Sequence, residues 1–272
     1  SPPEAGVPGW SYQAGTHIHP KMTWWPMSND LHRYLARCGA MLMQGQFVAD
    51  AAYFYGSDVP NFATTKYVRP DLGPGYDYDD LNTEILLQIE EVHNGRIVLP
   101  SGMEYEVLVL PNKRTMKLEV LKKINELLQK GATVIGPRPV RVYGLHNHRE
   151  QEASLNRLAD RIWGEKRTAS MVDKRHGTGR IVYGKTPRDI LLEKGIGPDL
   201  QYAGQSDRPV LDFIHRSTGE EHLYFVRNID SVDVHVEPVF RVRGLKPELW
   251  DPVTGTMRDI PVFSMSEDGL RI

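Results

Sequence analysis

The chain has 272 residues, 40% of them hydrophobic and 25% charged, with a formal net charge of -2 and a single cysteine. That length allows one large domain or two to three small ones, with ample material for a buried core. The balance excludes the basic footprint of a nucleic-acid or anionic-membrane binder, a disulfide framework and a Cys-rich zinc site, and no apolar run approaches the ~20 residues of a membrane span. The chain opens at Ser1 without Met, basic n-region or apolar h-region, as if cut from something longer.

Residues 1–28 hold five Pro, three Gly and three of the five Trp with no sustained period, which predicts a loop on a surface that uses its aromatic rings. Ser28 or Asn29 is placed to cap a helix whose apolar face is Leu31, Tyr34, Leu35, Cys38 and Leu42. Phe47 to Tyr55 reads as one strand stopped by Gly56, and residues 56–79 as a long Pro/Gly/Asp/Tyr loop. Asp79 or Asp80 is the expected cap of a helix carrying Leu81, Ile85, Ile89 and Val92. A hairpin follows, from Arg96 through a turn at Pro100–Gly102 to Met103.

The organising core lies between Tyr105 and Pro137. Glu106–Leu110 is a short apolar β-prone run closed by Pro111, and Leu118, Leu121, Ile124, Leu127 and Leu128 recur at helical spacing with Thr115 as a candidate cap and Gly131 as the stop. Ala132–Ile135 then reads as a second strand, and a strand returning after one helix is normally parallel to the first. Helices at 150–163 and 187–194 around a strand at 180–183 continue the alternation, which predicts a doubly wound parallel sheet. From about Val210 the period becomes two, in 211–215, 223–228, Val232/Val234/Val236 and Phe240/Val242, which predicts an antiparallel β-sandwich with a turn at Trp250–Gly255.

A sheet of this kind invites a phosphate or flavin site at its carboxyl ends, but the turns there are Pro111-Asn-Lys-Arg114 and Gly136-Pro-Arg-Pro139, without a glycine cradle and short of backbone donors. Cys38 falls mid-helix on an apolar face, where it reads as a small hydrophobe rather than a nucleophile. His17/His19 and His146/His148 have spacing that could share a metal, with no evident third ligand. Trp24 and Trp25 are either a core plug or a platform for the CH-rich face of a sugar. In Gly75-Tyr-Asp-Tyr-Asp-Asp80, capping accounts for Asp79 and Asp80 and leaves Asp77 for ligand contact or for no role.

Taken in order, Gly15-Thr-His-Ile-His-Pro-Lys-Met-Thr-Trp-Trp25, Tyr34-Leu-Ala-Arg-Cys38, Val48-Ala-Asp50, Tyr53-Phe-Tyr-Gly56, Gly75-Tyr-Asp-Tyr-Asp79, Leu108-Val-Leu-Pro111, Ile214-His-Arg and Trp250-Asp-Pro-Val-Thr-Gly resemble the α-L-rhamnosidases of glycoside hydrolase family 106. The resemblance implies an α/β plus all-β fold. Residues 1–46 would be a remnant of a (β/α)8-type barrel, 47–209 a flavodoxin-like domain and 210–272 a β-sandwich. It further implies an inverting mechanism with two glutamates and a calcium ion in the whole enzyme's sugar site, both glutamates lying upstream of Ser1, so that no residue here carries over as catalytic and no cofactor is held within this chain. His17, Trp24 and Trp25 match the family pattern and would line the pocket for a rhamnose-containing carbohydrate, together with His19, where the pattern departs, and Asp77. The partner implied is the upstream barrel of the same parent chain, and a periplasmic or secreted bacterial location is favoured. The alternative is a non-catalytic module that binds carbohydrate or a partner chain.

Overall fold

The structure, a computed structural model, describes residues 18, 20, 22–58, 62, 63, 66, 72–165, 170–205 and 209–272. The chain falls into two units, one formed by Ser1–Gln44 with Lys246–Phe263 and the other by Gly45–Leu245 with Ser264–Ile272.

The first unit contains helix α1 (Asn29–Leu42) and, much later, a hairpin. In the second unit β1 (Gln46–Phe47) and β2 (Ala51–Phe54) are separate strands in different sheets, whereas the sequence predicts one strand. The chain bends at Asp50, whose carboxylate is held by Arg241, so one apolar run serves two sheets. β3 (Tyr78–Leu81) pairs with β2, and α2 (Thr83–Gln88) follows. Its cap is Asn82, whose side chain accepts from Ile85 N–H at 2.8 Å, not Asp79 or Asp80. Those two are drawn into β3, where strand pairing outweighs local capping. β4 (Glu91–His93), β5 (Arg96–Val98) and β6 (Glu104–Tyr105) make a small antiparallel sheet that contains the predicted hairpin.

The predicted strand–helix–strand core is present. β7 (Val107–Val109), α3 (Leu118–Gln129) and β9 (Thr133–Ile135) follow in order, with Leu108 opposite Val134 in a parallel pair. Thr115 does not cap α3. It sits in β8 (Thr115–Met116), which pairs with β10 (Arg141–Val142), and Lys117 occupies the cap position. Next come α4 (His148–Trp163), the hairpin of β11 (Val172–His176) and β12 (Gly179–Tyr183), and α5 (Pro187–Glu193), opened by a capping box between Thr186 and Asp189. The central sheet has the order β11-β12-β9-β7-β2-β3, parallel throughout except at the β11 edge. Both faces are covered. Ala52, Leu108, Val134 and Ile181 join the α3 and α4 core, while Ala51, Val107, Val109 and Val182 pack with Ile190 and Leu191 of α5. Burial on both faces is why these strands read as unbroken apolar runs.

Gly179 marks the closest approach of β12 to α3. A Cβ there would stand 2.5 Å from Leu128 O and 3.0 Å from Leu128 Cα, atoms of the backbone that cannot turn aside. Gly179→Ala is therefore expected to lower stability by roughly 1–3 kcal/mol through overpacking. The check is chemical denaturation; an unchanged midpoint would mean the helix has slack against the sheet.

β13 (Leu200–Gln201), β14 (Leu211–Ser217), β15 (His222–Asn228) and β16 (Val239–Phe240) follow. β17 (Glu248–Trp250) and β18 (Met257–Asp259) form the hairpin of the first unit, and β19 (Ser264–Met265) and β20 (Leu270–Arg271) return to the second. The tail strands fall into three sheets, β1-β14-β15, β13-β16-β20-β19 and β17-β18. Residues 232–237 are not a strand despite their alternation; Val234 and Val236 still pack against the cluster of Leu200, Phe213 and Phe240. The fold is mixed α/β with several sheets, and the described residues contain no closed barrel.

In the first unit Arg37 of α1 donates to Pro252 O at 3.0 Å and Val253 O at 2.7 Å, tying the helix to the predicted Trp250–Gly255 turn. The predicted apolar face of α1 is not covered: Leu31 and Leu35 are half exposed, and Tyr34, Cys38 and Leu42 are only half-buried. No helix is long and apolar enough to cross a membrane among the described residues.

Candidate functional site

Three places could carry function. The first is the aromatic stretch before α1. Trp25–Met27 forms one 3-10 turn opened by Pro26, with Met27 N–H donating to Trp24 O at 2.9 Å. The edge of Trp25 meets the His32 ring at 5.3 Å and 64°, and His32 Nδ1 is in turn 2.8 Å from Ser28 O. Both Trp residues are half-buried, so each keeps part of its ring free while its backbone is held by neighbours. That is the physical form of a preset stacking platform. His17 and His19 lie outside the described residues.

Asp77 belongs to the second unit and is buried. Its Oδ2 accepts from Lys66 Nζ at 2.8 Å and its Oδ1 from Tyr78 N–H at 3.0 Å. Burial pushes its carboxyl above the ordinary range, with the Lys66 ammonium opposing. Lys66 also reaches Asp212 at 3.4 Å and lies over the Phe213 ring, so the cation is shared between two acids. His146 and His148 sit at an exposed helix start, away from any metal cluster; among the described residues no three His, Cys, Asp or Glu converge to hold a metal.

The second place is a buried polar network that sequence reasoning missed. Arg241 donates to Asp50 Oδ1 at 2.8 Å and to Gly197 O at 2.6 Å, with its Nε 3.7 Å from Asp199. Asp199 accepts from Tyr224 O–H at 2.7 Å, and its other oxygen is 2.7 Å from His215 Nδ1. His215 Nε2 lies 2.8 Å from His222 Nδ1, and the Tyr224 ring stacks on His215 at 4.0 Å. Burial would raise Asp199, yet the His215 hydrogen bond, His215 and Arg241 charges and Tyr224 hold it below the ordinary carboxylate range. Asp50 goes the other way. Its burial dominates over Arg241, Asp199 adds repulsion, and its carboxyl is pushed up to about 6. Asp50 Oδ2 is buried with no hydrogen-bond partner among the described residues, which agrees with that direction. Burial and the neighbouring His215 depress His222. The network links two buried acids through Arg241 and carries on through His215 to the His222 imidazole, and it holds no nucleophile. Its signals in the sequence were Val48-Ala-Asp50 and Ile214-His-Arg within the family pattern.

The third place, the carboxyl end of the central sheet, is partly plugged. Arg138 is buried, donates to Pro139 O at 2.9 Å and pairs with Asp160 at 2.5 Å, and Trp163 Nε1 donates to Gly136 O at 3.0 Å. Beside β9 the Arg138 and Trp163 side chains are thus bonded to the protein's own groups.

Such a mixed α/β core with small flanking sheets is shared with glycoside hydrolases. A β-galactosidase from Bacillus circulans sp. alkalophilus superposes with a TM-score of 0.53 at 14% identity, over 93% of this chain and 45% of its own, a likeness in fold alone. A rhamnosidase from Novosphingobium sp. PP1Y superposes with a TM-score of 0.79 at 27% identity, covering 95% of this chain and 24% of its own. A Formosa agariphila protein provisionally named β-glucuronidase is 33% identical over 258 residues, 94% of this chain and 20% of its own. The chain thus spans about a fifth to a quarter of the length of these last two relatives. Residues 1–264 match the family described as α-L-rhamnosidase, and the chain belongs to that family, glycoside hydrolase family 106.

Proposed function

We propose that this glycosidase-type module is the C-terminal part of a larger hydrolase acting on α-L-rhamnosides of plant or microbial polysaccharides or glycosides. It contributes a wall of the sugar pocket and supporting domains, while an upstream barrel carries the two catalytic carboxylates. The observation that carries this is the family match over residues 1–264 in a chain that spans only 24% of a solved rhamnosidase. Supporting it, the most prominent carboxylates of the second unit are committed to cations or buried donors: Asp50 to Arg241, Asp77 to Lys66, Asp79 to Tyr105 and Asp199 to His215.

Within this reading Trp24 and Trp25 offer ring faces to the sugar, and His17, His19 and Asp77 are assigned to the same substrate by the family resemblance. The upstream barrel packs on the uncovered apolar face of the first unit, where Met27, Leu31, Leu35, Trp250 and Met257 are exposed. The strand order β3-β2-β7-β9-β12, all parallel, has the 2-1-3-4-5 sequence of a flavodoxin-like sheet. The tail is read as a β-sandwich because one apolar cluster unites residues of β13, β14, β15 and β16, which lie in two different sheets. Inversion at the anomeric carbon needs one carboxylic acid to protonate the leaving oxygen and one carboxylate to activate water, roughly 6.5–9.5 Å apart. The described residues offer no three-ligand cluster for the calcium ion implied by the family.

The test is hydrolysis of an aryl α-L-rhamnoside by this chain and by a version extended upstream, with and without calcium. Activity is expected in the extended version alone. Turnover by the 272-residue chain would move the catalysts into it, and silence in both would favour the binding-module reading.

A further inference from the structure

Trp25, Ser28 and His32 follow one another at spacings of three and four residues, which put side chains on one face of a helix, and α1 begins at Asn29 between them. Helical side chains lean toward the N-terminus, which carries the His32 ring back over Ser28 toward Trp25. The three residues close a circuit. Trp25 N–H donates to Met22 O at 3.0 Å, and Trp25 O accepts from Ser28 N–H at 3.0 Å and from the Ser28 hydroxyl at 2.6 Å. Ser28 is buried, and its carbonyl oxygen accepts from His32 N–H at 2.9 Å and lies 2.8 Å from His32 Nδ1. A carbonyl oxygen only accepts, so Nδ1 carries the proton of that second bond. The tethered imidazole meets the Trp25 indole edge to face, with centroids 5.3 Å apart and planes inclined by 64°.

The tether is more than the helix requires. Ser28 O already receives the His32 N–H in the regular helical bond, and the ring donor adds nothing to the backbone ladder. Its effect is to aim the imidazole. The backbone bonds fix where the Trp25 side chain starts, and the His32 contact bears on how its ring is turned. Both rings are only half-buried, so indole surface stays reachable beside the contact. A ring set before the ligand arrives avoids an ordering cost on binding.

We propose that His32 is a positioning residue for carbohydrate recognition, holding the Trp25 indole in the orientation in which it stacks on a sugar. The proposal rests on the reading of Trp24 and Trp25 as the sugar platform and adds to it the residue that sets one of the rings.

The experiment is fluorine NMR of the fluorotryptophan-labelled chain, which holds five Trp, and of its upstream-extended version, each titrated with methyl α-L-rhamnopyranoside. Trp25→Phe identifies the Trp25 resonance. In His32→Ala that resonance is expected to shift and broaden before any glycoside is added, the others staying in place, and the glycoside Kd to rise roughly three- to tenfold. His32→Phe, which keeps a ring against the indole, is expected to restore the resonance and return Kd to within about twofold of the parent. Loss of folding in both His32 variants, an unmoved Trp25 resonance in His32→Ala, or an unchanged Kd there while Trp25→Ala weakens binding would each overturn the positioning role alone. A glycoside that binds neither version, or binds Trp24→Ala and Trp25→Ala as tightly as the parent, would overturn the platform reading and the proposal with it.

Discussion

Arg241→Met is expected to lower the unfolding free energy by roughly 3–5 kcal/mol at pH 8, because it strands buried Asp50 and weakens the compensation of Asp199. The loss depends on pH. Asp50 has a folded pKa of about 6, above its ordinary 3.8, so ionising it costs more in the fold than in the unfolded chain. Its contribution is greatest below the unfolded value and is lost as pH rises through about 6, on the order of 3 kcal/mol in all. Removing Arg241 drives the Asp50 carboxyl still higher, which extends the decline to more alkaline pH. Urea unfolding at pH 5 and pH 8 therefore reads a smaller loss at pH 5, where Asp50 is largely neutral in both proteins. Equal losses at the two values would show that Asp50 is not the group that titrates. Asp199 and His222 work in the opposite sense. Both are held below their ordinary values, so the stability they contribute falls as pH drops, and the acid limb of the profile belongs to them.

Leu108→Ala is expected to cost about 2–5 kcal/mol, the range for opening a cavity in a core that relaxes only partly. Leu108 is fully buried in the middle of β7, between Ala52 on one neighbouring strand and Val134 on the other, and it faces the cluster under α3 and α4. Leu192, in the same unit but half exposed on α5, is the control: Leu192→Ala should stay within roughly 0.5 kcal/mol of the parent. Denaturant midpoints give both numbers, with the slope unchanged if the folded and unfolded ensembles keep their extent. A loss below about 1 kcal/mol for Leu108→Ala would place the organising strand elsewhere.

Much of the fold was legible because it is written locally. Leu118, Leu121, Ile124 and Leu127 mark one face of α3 at the helical period, and the apolar runs around Leu108 and Val134 are short enough to be strands. Local signals misled where a neighbour in space competed. Asp79 and Asp80 look like caps, yet pairing with β2 takes them into β3 and passes the cap to Asn82. Val232, Val234 and Val236 alternate like a strand but have no ladder partner among the described residues, and only Val234 and Val236 keep their packing.

The candidate sites divide in the same way. By itself the sequence determined the family, through the order of its motifs, and the aromatic stretch, because Trp24 and Trp25 are neighbours held by one turn. It also determined the βαβ core, since periodicity is a property of adjacent residues. Only the tertiary structure decided what happens to the charges. Asp50 and Arg241 are 191 positions apart, and each alone reads as an ordinary polar residue beside a strand. Burial is set by the whole fold, and it is burial that turns a distant acid, arginine, histidine and tyrosine into one network and lifts the Asp50 carboxyl.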